Sequence, residues 1–376
     1  MVHRDDTSER RYWQAAAAAL AGARPPGLTL TPAEWEPFVR WVVRARLSVL
    51  LWQAYHDSFA NDPVRAAIET AARQQAIGLA LQEQELRRVV EAFSHAGLAP
   101  VLIKGAALAY SVYPNALLRP RADVDFIIRE ADEAETRRVL ERAGYAPELA
   151  LPGRLVSAQF HYTRPDASGV RHACDVHLGL SNTQAYANYL SYEALERDAI
   201  PLPRLHEHAR GPAPAHSLAI ACVHRITHHF ADDDLVWLWD IHLLAASLDE
   251  AGWEGVLELA RARQLSRMIL SGLQRAREAF GGTAYDEPVR RLEDAALHEP
   301  DAPWVSTSGR TIEVALSDFA GLSTWKARLR LLREHLFPPP SYVRLKYPRC
   351  PAPLLPFAYV CRIVRGAPKW LQRRAL

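Results

Sequence analysis

PVLIKGAALAYSVYPNALLRPRADVDFII, residues 100–128, holds two short apolar runs separated by turn residues. Pro100 to Ile103 reads as a strand, Lys104-Gly105 as a tight turn and Ala106 to Tyr113 as a short helix. After a polar loop from Pro114 to Ala122, Asp123 to Ile128 reads as a second strand. Side chains alternate across a strand, so Asp123 and Asp125 share one face, roughly 6–7 Å apart. Both carboxylates can then reach one cation or a pair. Mg²⁺ suits them, because it prefers carboxylate and water oxygens plus substrate phosphates to an all-protein cage. Taken alone, an Asp-x-Asp pair describes the solvated face of an edge strand at least as well.

Working outward, Ala131 to Ala143 has helical periodicity and stops at Gly144. A turn at Pro165 to Gly169 predicts a hairpin whose second strand carries His172, Cys174 and Val176 on one face and Ala173, Asp175 and His177 on the other. Upstream, Trp41, Val42, Leu47, Leu50, Leu51 and Ala54, then Ile68, Ala71, Ala72 and Ala76, recur at helical spacing until about His95. Helical patterning returns after Leu190 and runs to about Leu336. The tail from Phe337 opens on three prolines and reads as an extended arm ending in a short amphipathic helix.

A chain of 376 residues is long enough to bury a large core unaided. Its 45 Lys and Arg against 43 Asp and Glu leave +2, which excludes nucleic-acid or membrane binding through bulk positive charge, so any anionic ligand must be met locally. No apolar run approaches the ~20 residues of a membrane span. Cys174, Cys222, Cys350 and Cys361 are scattered without a CxxC pair and read as reduced thiols. The N-terminus, MVHRDDTSERRYW, lacks the layout of a secretory signal, and a cytoplasmic location is expected.

Around the Asp-x-Asp strand stand groups suited to phosphate. Lys104, Gly105 and Ala106 open a helix whose backbone N–H groups could face an anion, and Arg119 and Arg121 lie just ahead of the carboxylates, as a triphosphate would require. Each has a plain alternative as a helix-opening turn or a surface arginine. A second cluster, His224, His228 and His229 followed by Asp232, Asp233 and Asp234, sits on a helix expected over 215–230. It lacks HExxH and adjacent His-Asp signatures and reads as cleft lining or packing rather than a metal site. His177 shares a strand face with Asp175 and could orient that acid or contact a phosphate, with a satisfied, partly buried histidine nearly as good a reading; His161 is as hard to weigh. Trp237, Trp239 and Asp240 read as helix packing rather than a base-stacking platform.

The ordered set Leu102-Ile-Lys-Gly-Ala-Ala-Leu-Ala109, Tyr113-Pro114, Arg119-Pro-x-x-Asp123-Val-Asp125-Phe and Asp175-Val-His177-Leu resembles a bacterial nucleotidyltransferase family of polymerase-β-like fold, one of uncharacterised nucleotidyltransferases. The resemblance is clearest over residues 100–180. It implies an α+β protein whose small mixed β-sheet core is flanked by largely helical regions. The expected divisions are an N-terminal helical region (1–80), a nucleotidyltransferase core (81–185), a helical C-terminal domain (186–336) and a Pro-rich arm with a terminal amphipathic helix (337–376).

By the same resemblance, Asp123, Asp125 and Asp175 are the catalytic acids and metal ligands, with Mg²⁺ or Mn²⁺ as cofactor. Lys104, Gly105, Ala106, Arg119, Arg121 and His177 are the nucleotide-binding set. The co-substrate is an NTP such as ATP, and the acceptor is a hydroxyl or similar group on a small molecule, natural-product peptide or protein. One departure from the superfamily is Ala106, where a phosphate-contacting serine is usual. The alternative readings are an Asp-x-Asp glycosyltransferase using a nucleotide-sugar, and a non-catalytic nucleotide-binding scaffold.

Overall fold

A computed structural model describes residues 7–22, 32–55, 63–148, 153–187, 189–227, 233–282, 285–299 and 311–371. Four helices come first, α1 (Thr7–Leu20), α2 (Pro32–Arg44), α3 (Ser48–Tyr55) and the long α4 (Pro63–His95). Then follow β1 (Val101–Ile103), α5 (Lys104–Ser111), β2 (Val124–Ile127), α6 (Glu133–Arg142), β3 (Ala146–Pro147), β4 (Gln159–Pro165) and β5 (Arg171–His177). After α7 (Tyr192–Arg197), a two-stranded ribbon of β6 (Ile200–Pro201) and β7 (Arg210–Gly211) leads into α8 (Pro214–Thr227), α9 (Leu235–Ser247), α10 (Glu250–Arg263), α11 (Ser266–Phe280) and α12 (Asp286–Leu297). The chain closes with α13 (Thr311–Gly321), α14 (Trp325–Leu336), α15 (Pro340–Lys346) and α16 (Leu355–Leu371). This is an α+β protein with a small mixed sheet and helical flanks.

The sheet runs β1-β2-β5-β4-β3, with β2 and β5 parallel and the other pairs antiparallel. Its register sorts the side chains. Leu102, Phe126, Val176 and Phe160 form one row across four strands. They pack in a buried cluster with Leu86, Val89 and Phe93 of α4 and Val139 and Leu140 of α6. The next row, Ile103, Asp125, Asp175 and His161, points to the opposite face, as does Val101, Ile127, His177 and Gln159. A second buried cluster joins that face to the helical region through Ile103, Leu108, Tyr113, Leu218, Ile241 and Leu244. Both faces of β2 are therefore covered, and all four of its residues are buried.

Local signals explain the ends of the elements. Helix α6 stops where Gly144 takes φ +86, the left-handed C-terminal turn, and Tyr145 N–H returns to Leu140 O at 3.0 Å. Asp249 caps α10 by accepting from Gly252 N–H at 2.8 Å. Helix α4 runs through residue 80 without a break, its first half packed on α2 and α3 and its second half on the sheet. In the tail, where an extended arm ahead of an amphipathic helix is expected, Pro340 stands in the first turn of α15, where its missing N–H costs nothing, and α16 is the amphipathic helix. The four cysteines are free thiols, and no described helix is long and apolar enough to cross a membrane.

Helix α4 is fastened to the sheet by Glu85, whose carboxylate accepts from Arg88, from Arg164 of β4 and from the Tyr145 hydroxyl at 2.8 Å. Burial pushes this carboxyl up, but the Arg88, Arg164 and Tyr145 donors outweigh it and hold it at about 2. A depressed acid contributes stability above its unfolded value and loses it as pH falls through the folded value. Glu85→Gln is therefore expected to cost about 3 kcal/mol at neutral pH. In denaturant titrations the gap from wild type should close between pH 4.5 and about 2.

Candidate active site

The three acids meet in one cleft of about 410 Å³, lined also by Lys104, Gly105, Ala106, Arg119, Arg121, Gln159, His224, Trp237 and Asp240. Asp125 and Asp175 are register partners on adjacent parallel strands, so the fifty positions between them collapse to one strand spacing. Asp123 sits one residue before β2, on the same side, and is open to solvent. His177 shares the Asp175 face and is buried.

The charges are already partly paired. Lys104 Nζ donates to Asp125 Oδ1 at 2.6 Å, and His177 Nε2 lies 2.8 Å from the same oxygen. Burial raises the Asp125 carboxyl, but Lys104 and His177 more than reverse this and hold it far below the usual carboxylate range. Burial and the Lys104 charge push His177 down, which leaves a neutral ring able to donate from Nε2. Asp175 Oδ1 is met by His161 Nδ1 at 2.7 Å, and that hydrogen bond raises His161. Asp123 differs. Enclosure by the cleft wall, then repulsion from Asp125 and Asp175, pushes its carboxyl up to about 6 although its edge is solvent-reachable.

The basic groups behave in three ways. Lys104 has φ +55 at the strand-to-helix turn, a conformation rare for a residue with a side chain. Arg119 lies across Gly105, where a Cβ would come within 2.9 Å of its guanidinium carbon. Its Nε and Nη2 donate to Asp240 of α9 at 2.8 and 2.7 Å, and Tyr113 O–H donates to the same carboxylate at 2.8 Å. Burial opposes the charge on Arg119, and the adjoining Asp240 more than restores it. Arg121 is 7% exposed, lies over the Tyr110 ring and donates to the Tyr110 hydroxyl at 3.2 Å, while its Nε and Nη1 have no hydrogen-bond partner among the described residues.

A family model described as "Uncharacterised nucleotidyltransferase" matches residues 31–281, more than half of the chain. The chain belongs to this family. No curated protein matches it. The family match reaches back into α2 to α4, and Arg46, between α2 and α3, lines the cleft beside Asp123.

Several sequence expectations change on this geometry. Gly105 serves the close approach of Arg119, a side chain of the protein itself. Arg119 lines the cleft, but Asp240 takes its Nε and Nη2, so it braces α9 against the loop before β2. Trp237 lines the cleft, whereas Trp239 stacks on His242 at 5.1 Å between ring centroids. His224 lines the cleft as expected, while His228, His229 and Asp232 lie outside the described residues. Asp233 is drawn to Arg225 at 2.7 Å and to Arg275, and Asp234 caps α9 through Val236 N–H. Sequence reasoning missed Arg46 and Gln159, and it left Asp240 to helix packing. The one advance signal for Asp240 was a lone acid among the aromatic and aliphatic residues of α9.

Asp240→Ala leaves Arg119 as an uncompensated buried charge and is expected to destabilise the fold by about 3–5 kcal/mol. Gly105→Ala crowds the same guanidinium and should cost about 1–3 kcal/mol. Both are read as losses in the midpoint of chemical unfolding; wild-type stability in Asp240→Ala would refute the bracing role.

Proposed function

We propose that this cleft transfers a nucleoside monophosphate from an NTP to a hydroxyl-type acceptor, with Asp123, Asp125 and Asp175 as the catalytic acids. The observation that carries this reading is the in-register pairing of Asp125 with Asp175, beside Asp123 and a buried Arg121 with two unpartnered nitrogens. Family membership supports nucleotidyl transfer in general terms. Nothing in this arrangement favours a nucleotide-sugar donor or a purely structural role.

The residues suit a divalent cation of the Mg²⁺ type. Among the described residues no three His, Cys, Asp or Glu side chains form a ready metal cage. Magnesium does not need one, since one or two carboxylates with waters and phosphates suffice. Asp123 is lifted first by burial and then by repulsion from Asp125 and Asp175, and that repulsion is a demand for positive charge. Asp123 and Asp125 would hold the ion with Asp175 alongside, and the ion, when bound, would polarise the α-phosphate.

The rest falls to the chain's own groups. The phosphates have the uncapped N-terminus of α5, Lys104 and the open donors of Arg121 to bind. Asp175, oriented by His161, accepts the acceptor's proton as its oxygen bonds to the α-phosphorus. The bond to the bridging oxygen breaks, and pyrophosphate leaves with that electron pair, its charge balanced by Lys104 and Arg121. The α8 and α9 wall, with His224 and Trp237, would receive the acceptor.

Incubation with each α-labelled NTP, Mg²⁺ and host extract should label one acceptor and release pyrophosphate. Asp123→Asn and Asp125→Asn should each lower transfer by about a hundredfold or more without unfolding the protein; unchanged turnover in both would end the assignment. Arg121→Met should weaken NTP binding by about tenfold while sparing the fold, because it removes a charge whose desolvation only the Tyr110 hydroxyl and more distant groups offset. Stabilisation by Mg²⁺ in thermal melts should grow as pH rises through about 6, where Asp123 loses its proton, and should vanish in Asp123→Asn.

A further inference from the structure

The net charge of +2 conceals a steep division along the chain. From Leu322 to the C-terminus the sequence holds twelve Lys and Arg and a single acid, Glu334; residues 1–321 hold 33 basic and 42 acidic residues. The basic end coincides with α14, α15 and α16.

These helices also present apolar side chains to solvent in ordered stripes. On α14, Trp325, Leu329 and Leu332 recur at i, i+4 and i+7 and are 68%, 63% and 41% exposed. The opposite side of α14 faces the protein, with Leu331 buried and Glu334 accepting from the Leu155 and Val156 N–H groups. On α16, Phe357, Val360 and Val364 form a second stripe, 69%, 57% and 64% exposed. Its inward side holds Ala358, buried, and Arg362, which donates to His335 O at 2.6 Å. Arg333, Arg344, Lys346, Arg349 and Arg365 stand exposed around these stripes.

We propose that α14 to α16 form an interfacial element that docks on an anionic lipid surface, lying in the headgroup plane. Outward apolar stripes edged by arginine and lysine are what such a surface accepts: the rings and aliphatic chains enter the acyl boundary while the cations meet the phosphates. Charge decides against a second copy of the same face, because two such arms carry the same strong positive charge and would repel. Nucleic acid would satisfy the cations but leave Phe357, Val364 and Leu329 in water. No described helix is fit to span the bilayer, which agrees with a peripheral attachment.

The test is cosedimentation of the full-length chain with phosphatidylcholine vesicles, with and without phosphatidylglycerol. The chain should pellet with the anionic vesicles, bind neutral ones about tenfold more weakly or worse, and be released near 1 M salt, where screening shortens the Debye length to about 3 Å. Phe357→Ser with Val364→Ser, and separately Trp325→Ser with Leu329→Ser, keep the charge and remove the apolar stripes. Each pair should lower vesicle binding by about tenfold with unchanged thermal unfolding, since all four side chains are exposed. Three outcomes overturn the proposal: no pelleting with anionic vesicles, pelleting that the serine pairs do not alter, or a dimer by light scattering that the same pairs dissolve in the absence of lipid binding. Retention on duplex DNA without lipid binding would likewise replace it. None of these readouts depends on nucleotide transfer.

Discussion

The carboxylate of Asp240 is nearly sealed from water, and the arrangement of the cleft depends on how its charge is met. Burying an ion is costly unless its partner is well aligned and its remaining lone pairs are filled. Here a forked guanidinium and a phenol do both, drawing Arg119 from the loop before β2 and Tyr113 from the end of the α5 segment onto α9. Burial and the neighbouring carboxylate keep the Tyr113 hydroxyl protonated, so it stays a donor. The pair thus holds the helical wall over the sheet face that carries the acids. It also explains why position 105 has no side chain: the guanidinium occupies that volume.

Beyond this brace, the cleft is electrostatically graded. Asp125 is the deepest acid and the most fully compensated, by Lys104 and His177; Asp175 has one histidine; Asp123, at the mouth, sits among like charges. In the proposed reaction such a gradient would draw a cation to the outer carboxylate first. The unpartnered nitrogens of Arg121 set the complementary demand for an anion on the same wall. In the proposed reaction a metal–triphosphate complex would meet both demands together. The Lys104–Asp125 contact neutralises the deepest acid, at a turn whose backbone is itself held in a sparsely populated region.

Charge averaged over a whole chain is a poor guide when the charges are sorted. The near-neutral total arises from an acidic body and a basic tail, and among the described residues the exposed apolar stripes of α14 and α16 lie on the tail. An argument from bulk charge excludes a uniformly basic protein but passes over this division. The same averaging hides the helicity of the tail, because a run of prolines reads as extended while Pro340 serves as a helix start.

What the sequence determined by itself is what local periodicity and turn chemistry can carry. The two-residue alternation placed Asp123 with Asp125 and Asp175 with His177, the turn at Pro165 to Gly169 made β4 and β5 a hairpin, and Gly144 closed α6. The ordered motifs were enough to single out the family. Which strands lie side by side is a different kind of fact. The parallel register of β2 with β5, the reach of Asp240 from more than a hundred residues away and the entry of Arg46 and Trp237 into the cleft are long-range pairings. They have no period to reveal them, because each is selected by burial of the rows behind the sheet and by the need to match one buried charge with another. A strand's own pattern fixes which face a residue takes; only the packed molecule decides what stands opposite.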